Sequence, residues 1–174
     1  MAHDRYTGRS MSKTFLTLVL LGSVCSSACA QAQDARFTGV WRLISYDREF
    51  VETKQRTAVF GEKPSGYISY SPGGRVVVAL FGSRPVPGRQ DAYDDADRVK
   101  LYGNIIAAYS GTYSVEGDRI THRIESAWVP TFAGADQARR FEFRGNRLIY
   151  TTDPRNSLLG GGASVNTLTL ERIE

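Results

Sequence analysis

Three observations predict an all-β fold: a closed antiparallel up-and-down β-barrel of about eight or more strands, with one short helix inserted mid-chain. Short runs of alternating apolar and polar residues follow one another from Phe37 onward, and glycine-containing turns separate them. A single stretch, AYDDADRVKLYGNIIAAY, changes to helical spacing. A meander of this kind leaves two edges with unpaired backbone groups, and pairing the first strand with the last removes both.

The first thirty residues are expected to be a signal peptide, not part of the barrel. Lys13 gives a positive start, FLTLVLLGSV (Phe15 to Val24) an apolar run, and Ala28-Cys29-Ala30 a small-residue cleavage site before Gln31, with Met11 the expected start. That run is shorter than the roughly 20 apolar residues a spanning helix needs, so no membrane span is expected in the mature chain. Cys25 and Cys29 both fall in the leader, which leaves the exported protein without thiol or disulfide. Cleavage before Cys29 with lipid attachment is the rival expectation, although Ser26 stands where such a site prefers leucine. The destination is then secreted or periplasmic, with 31–36 a linker and 37–174 the barrel domain.

Without the leader, the formal charge falls from +4 to +2, with 19 basic against 17 acidic residues. Nucleic acid is not an expected partner, because phosphate binding needs clustered cations. About 144 residues remain, enough for one core.

The first strand is GVWRLISY, with Trp41 and Leu43 on one face. Hairpins follow at Pro72-Gly73-Gly74, Gly117-Asp118 and Gly145-Asn146, where glycine and asparagine accept the backbone angles of tight turns. Val99, Tyr102 and Ile106 recur at helical intervals, which predicts a helix over Asp94–Ala108, capped by Asp94, with Asp97 in its first turn. The Asp91–Asp97 acidic cluster reads as helix initiation. GSRPVPGRQDAYDD before it, and Gly160–Gly162 near the end, read as loops.

A two-residue turn at Gly117-Asp118 puts Val115 opposite Ile120, so that Tyr109, Gly111 and Tyr113 share the inner face with His122 and Ile124. In the next hairpin Phe143 faces Leu148, which turns Arg139, Phe141 and Tyr150 inward. A slip of one residue would exchange Arg139 for Arg140.

The last strand carries Leu168, Leu170 and Arg172 on one face, and antiparallel closure brings Arg172 to Trp41, a cation–π pair over the narrow end. Gly39-x-Trp41 with a closing Arg172 resembles the lipocalins. The succession GVWRLISY, PSGYISYSPGGR, AAYSGTYSVEGDRITHRIE and PTFAGADQARRFEF more closely resembles the lipocalin-like domain proteins of bacteria and fungi, within the calycin superfamily, over residues 37–173. The resemblance implies an eight-stranded or larger barrel around a small, mostly apolar molecule. Two features depart from the lipocalins: Thr152-Asp153-Pro154 stands where Thr-Asp-Tyr is usual, and no disulfide ties down the C-terminus.

Two inward residues stand out as candidate site groups. His122 offers a donor and an acceptor near neutral pH, for acid–base work or for anchoring a ligand, or else is a core residue satisfied by Tyr109, Tyr113 or a carbonyl. Arg139 must find an anion, several carbonyls, or water at the mouth. The expected ligand-binding set is Tyr70, Tyr109, Tyr113, His122, Ile124, Arg139, Phe141 and Tyr150. Trp128 and Phe132 are lid candidates in the loop around Pro130.

The mature chain keeps one histidine and no cysteine, so neither a zinc site nor another metal is expected, and no cofactor. No Gly-x-Ser-x-Gly elbow accompanies His122, and the triple glycine lacks a P-loop ending. The expectation is therefore an exported binder of a small hydrophobic or amphipathic molecule. The alternative is a cyclase, isomerase or dehydratase on the same barrel, with His122 as acid–base and Arg139 or Tyr109 assisting, an analogy that the resemblance implies because some fungal members of the lipocalin-like family act in natural-product pathways. Oligomeric state stays open.

Overall fold

The computed structural model describes residues 34–85, 93–156 and 162–174. The expected leader with its two cysteines, Asp91, and Gly160–Gly161 lie outside these residues.

Among the described residues the chain forms β1 (Gly39–Phe50), β2 (Arg56–Thr57), β3 (Ser65–Tyr70), β4 (Arg75–Phe81), α1 (Asp95–Tyr102), β5 (Ile105–Glu116), β6 (Arg119–Ala127), β7 (Asp136–Arg144), β8 (Arg147–Thr151), β9 (Arg155–Asn156) and β10 (Ala163–Arg172). Eight long strands pair antiparallel in the order β1-β3-β4-β5-β6-β7-β8-β10, and β1 pairs with β10 to close the barrel. The two-residue strands β2 and β9 add short rungs beside β1 and β10.

The hairpin registers follow the turns. Val115 lies opposite Ile120 and Glu116 opposite Arg119, across a turn where Gly117 takes a positive φ of 58°. Phe143 lies opposite Leu148. Arg139 therefore faces inward, while Arg140 is exposed and lies 3.7 Å from Asp153.

One end is sealed. Phe37 is wholly buried, with its ring centroid 4.8 Å from Phe141, 5.1 Å from Phe143 and 5.5 Å from Tyr70. Trp41 Nε1 donates to the Phe37 carbonyl at 2.7 Å, and the Arg172 guanidinium lies 4.2 Å from the Trp41 ring centroid. Gly39, at φ 126°, lies so close to the Glu174 carbonyl oxygen that a Cβ would collide with it. Gly39, Trp41 and Arg172 thus form the barrel closure that the sequence motif predicts.

Two features differ from expectation. The helix stops at Tyr102, and Ile105–Ala108 already belong to β5, pairing with Phe81, Leu80 and Ala79. Gly103 breaks the helix, and the β-branched Ile105 and Ile106 go to the sheet. Asp94 does cap α1, accepting from the Asp97 amide at 2.8 Å, but the helix buries no residue, and Val99 is 69% exposed. The second difference is a β-bulge at Ile44, which shifts the inner face of β1 from Trp41 and Leu43 to Tyr46 and Arg48.

Candidate functional site

The barrel interior divides into two parts. The closed half holds a buried polar chain. Opposite it, a cavity opens between the ends of β1, β5 and β10.

β6 brings His122 to the centre of the closed half, where its exposure is 0%. Tyr109 from β5 places its hydroxyl 2.6 Å from Nδ1, and Tyr70 from β3 places its hydroxyl 2.7 Å from Nε2. The Tyr70 hydroxyl in turn lies 2.5 Å from that of Tyr150 on β8. Four residues from four strands thus form one hydrogen-bonded chain.

Arg139 sets the direction of that chain. Its Nη1 approaches His122 Nδ1 to 3.5 Å, and a guanidinium can only donate, so its charge favours the tautomer with a bare Nδ1 and the proton on Nε2. Tyr109 then donates to Nδ1, the Nε2 proton goes to Tyr70, and Tyr70 donates to Tyr150. Burial first, and the Arg139 charge second, hold the imidazole well below the usual histidine range, so it is neutral at physiological pH. Burial pushes the phenols of Tyr70 and Tyr150 above the usual tyrosine range.

Burial also opposes the charge on Arg139, but the phenol oxygens of Tyr109, Tyr70 and Tyr150 more than offset it, and the residue stays a cation. Its Nη2 donates to Gln137 Oε1 at 2.5 Å. Arg139 is inward-facing yet only half-buried, so part of its surface remains open.

Tyr70, Tyr109, His122, Arg139 and Tyr150, five of the eight residues of the expected ligand-binding set, are therefore brought together. Tyr113, Ile124 and Phe141 serve as packing. Tyr113 stacks edge-on against Tyr70, Ile124 is buried in the core, and Phe141 packs on Phe37. The imidazole has phenol partners on both nitrogens, Tyr109 at Nδ1 and Tyr70, not Tyr113, at Nε2. Of the lid candidates, Trp128 is 47% exposed and packs on Tyr102, while Phe132 leans on the core.

The cavity at the other end has a volume of about 510 Å³, within the range of roughly 300 to 1,000 Å³ usual for small-molecule sites. Phe60, Ile105 and Val129 form apolar wall, and Arg48, Arg155, Ser164 and Asn166 supply polar groups. Sequence reasoning missed these residues. For Ser164 and Asn166 a signal was present, since the parity that turns Leu168 and Leu170 inward continues to both. For Arg48 there was none, because the bulge at Ile44 reverses the parity of β1.

Among the described residues no three His, Cys, Asp or Glu side chains gather to hold a metal ion, and no helix is long and apolar enough to cross a membrane.

A crystal structure of a mutant of the fluorescent protein UnaG is similar at 14% identity and a TM-score of 0.34, over 79% of this chain and 96% of that one. No curated protein matches the sequence. The model of the lipocalin-like domain matches residues 38–173, nearly the whole described barrel, and the chain belongs to that family.

Proposed function

We propose that the protein binds a small, mostly apolar molecule in the open half of its barrel, as an exported carrier whose first thirty residues direct it to the periplasm or the exterior. The observation that carries this reading is the 510 Å³ cavity, with apolar walls at Phe60, Ile105 and Val129 and a few polar groups at one side. Such a lining suits a ligand that is largely hydrophobic and oriented by one polar end.

Turnover at His122 has less support. The imidazole is fully buried and both nitrogens are engaged, so a substrate atom has no approach to either without displacing a tyrosine.

The test is titration with a neutral fluorescent apolar probe, N-phenyl-1-naphthylamine, beside native mass spectrometry of protein purified from its own host. The expected result is saturable one-to-one binding, weakened at least about tenfold by Ile105→Trp, which fills the cavity, while the melting temperature holds. Failure of the wild-type protein to take up the probe, together with a mass carrying no ligand, would overturn the reading.

A further inference from the structure

We propose that the polar end of the ligand is a neutral carbonyl oxygen, held by the Asn166 side-chain amide and the Ser164 hydroxyl of β10 while its apolar body lies against Phe60, Ile105 and Val129. The inference rests on the cavity reading above and names the chemical class of its ligand.

Ser164 and Asn166 continue the inward parity of Leu168 and Leu170 and line the cavity, at 1% and 8% exposure. Their backbones are committed to neighbouring strands. Ser164 stands between Phe50 on β1 and Arg155 on β9. Asn166 donates its backbone amide to Thr152 Oγ1 at 2.9 Å and accepts from the Thr152 amide at 3.0 Å. Only the two side chains are left to face the hollow.

Arg48 decides which way the Asn166 amide points. Its Nε donates to Asn166 Oδ1 at 3.0 Å, and a guanidinium has no acceptor, so the amide oxygen belongs on that side and the NH2 group on the other. Among the described residues nothing accepts from Asn166 Nδ2, and nothing bonds the Ser164 hydroxyl. Two buried donor groups thus stand two residues apart on one face of a strand, at the wall of an apolar cavity. Donors in such a place are costly unless a ligand atom accepts from them.

The guanidinium groups nearby are engaged. Arg48 bonds both Asn166 and the Tyr46 hydroxyl, and the Arg155 charge acts on the Asp153 carboxylate. Arg84 is stacked on Phe60 at 5.5 Å and bonded to Asn104. An anion would give up its hydration for an amide and a hydroxyl, which favours a neutral acceptor. A ketone, ester or amide oxygen brings two lone pairs and no proton of its own, the complement of an N–H and an O–H.

Displacement of N-phenyl-1-naphthylamine by undecan-2-one and by 2-methylundec-1-ene, in which a CH2 group replaces the carbonyl oxygen, reads what that oxygen contributes. Asn166→Asp keeps an oxygen for Arg48 and turns a carboxylate toward the ligand in place of the NH2 donors. It is expected to lower the ketone-to-alkene affinity ratio at least about tenfold. Ser164→Ala, which removes one neutral bond, should lower it about two- to tenfold. Circular dichroism checks that each variant folds, and should Asn166→Asp fail to fold, Ser164→Ala decides alone. Failure of the ketone to displace the probe, or an unchanged ratio in either folded variant, would overturn the paired donors and leave the cavity reading in place. Absence of probe binding by the wild-type protein would overturn both.

Discussion

The Tyr70 hydroxyl sits 2.7 Å from His122 Nε2, joining β3 to β6 through the interior although 52 residues separate the two along the chain. In the tautomer that the Arg139 charge favours, with the proton on Nε2, Tyr70 accepts from histidine and donates to Tyr150. Tyr70→Phe leaves the buried Nε2–H without an acceptor and Tyr150 without a donor. Each such loss costs about 1 to 3 kcal/mol, so a total destabilisation of about 2 to 6 kcal/mol is expected. Tyr109→Phe should cost less, about 1 to 2 kcal/mol, because Arg139 still faces Nδ1. Urea unfolding curves measure both, and equal costs would contradict the proton order.

The same chain of groups fixes a pH profile. His122 has a folded pKa well below its ordinary 6.5, so the unfolded state binds the extra proton first on acidification. Stability is full above about 6.5 and falls as pH drops through that value toward the folded pKa, by up to about 1.4 kcal/mol per pH unit from this group. Tyr70 and Tyr150 have folded pKa values raised above 10.0, so the unfolded state loses protons first in alkali, and stability falls as pH rises past 10. A plateau between these limits is expected in midpoints of urea unfolding. His122→Gln should flatten the acidic limb near pH 6 and leave the alkaline one.

The closed end supplies a contrast between backbone and side chain. Arg172→Met removes the cation over Trp41 and the donor to the Thr38 carbonyl, and should cost about 1 to 2 kcal/mol. Gly39→Ala should cost more than Arg172→Met, at least about 2 to 3 kcal/mol, because it forces a Cβ onto the Glu174 carbonyl at a φ that side chains avoid. Thermal melts of the two variants order them, and the reverse order would show that the guanidinium, not the close backbone approach, holds the barrel shut.

The fold and the closed half of the interior were legible because both follow from period-two alternation and hairpin register. Once Gly117 and Gly145 fix the turns, His122, Arg139 and Tyr150 can point only inward. The open half was not legible for a specific reason. One extra residue at Ile44 reverses the parity of β1, so Arg48 reads as an outer-wall residue in the sequence and lies inside the barrel. Nothing in the residue types around Ile44 announces a bulge. Helix spacing misled at Ile106 for a related reason, since three apolar residues at helical intervals do not reveal that Gly103 and two adjacent isoleucines transfer the segment to β5.

Helix α1 is held by its ends, not by its face. Asp94 caps it, Asp95 pairs with Arg98 at 2.6 Å and Asp97 with Lys100 at 3.2 Å, all on an exposed surface, and none of its residues is buried. Eight residues without packing are marginal as a helix, because nucleation is costly and surface ion pairs return little. Asp94→Ala removes the bond to the Asp97 amide and should cost the helix about 0.5 to 2 kcal/mol. Since the barrel does not rest on α1, the cost stays local. Hydrogen exchange should show amides of Arg98–Tyr102 exchanging several-fold faster in Asp94→Ala, with those of Tyr109–Tyr113 on β5 unchanged and the global melting temperature shifted little. A large drop in melting temperature would mean that the helix supports the sheet in a way its exposure does not suggest.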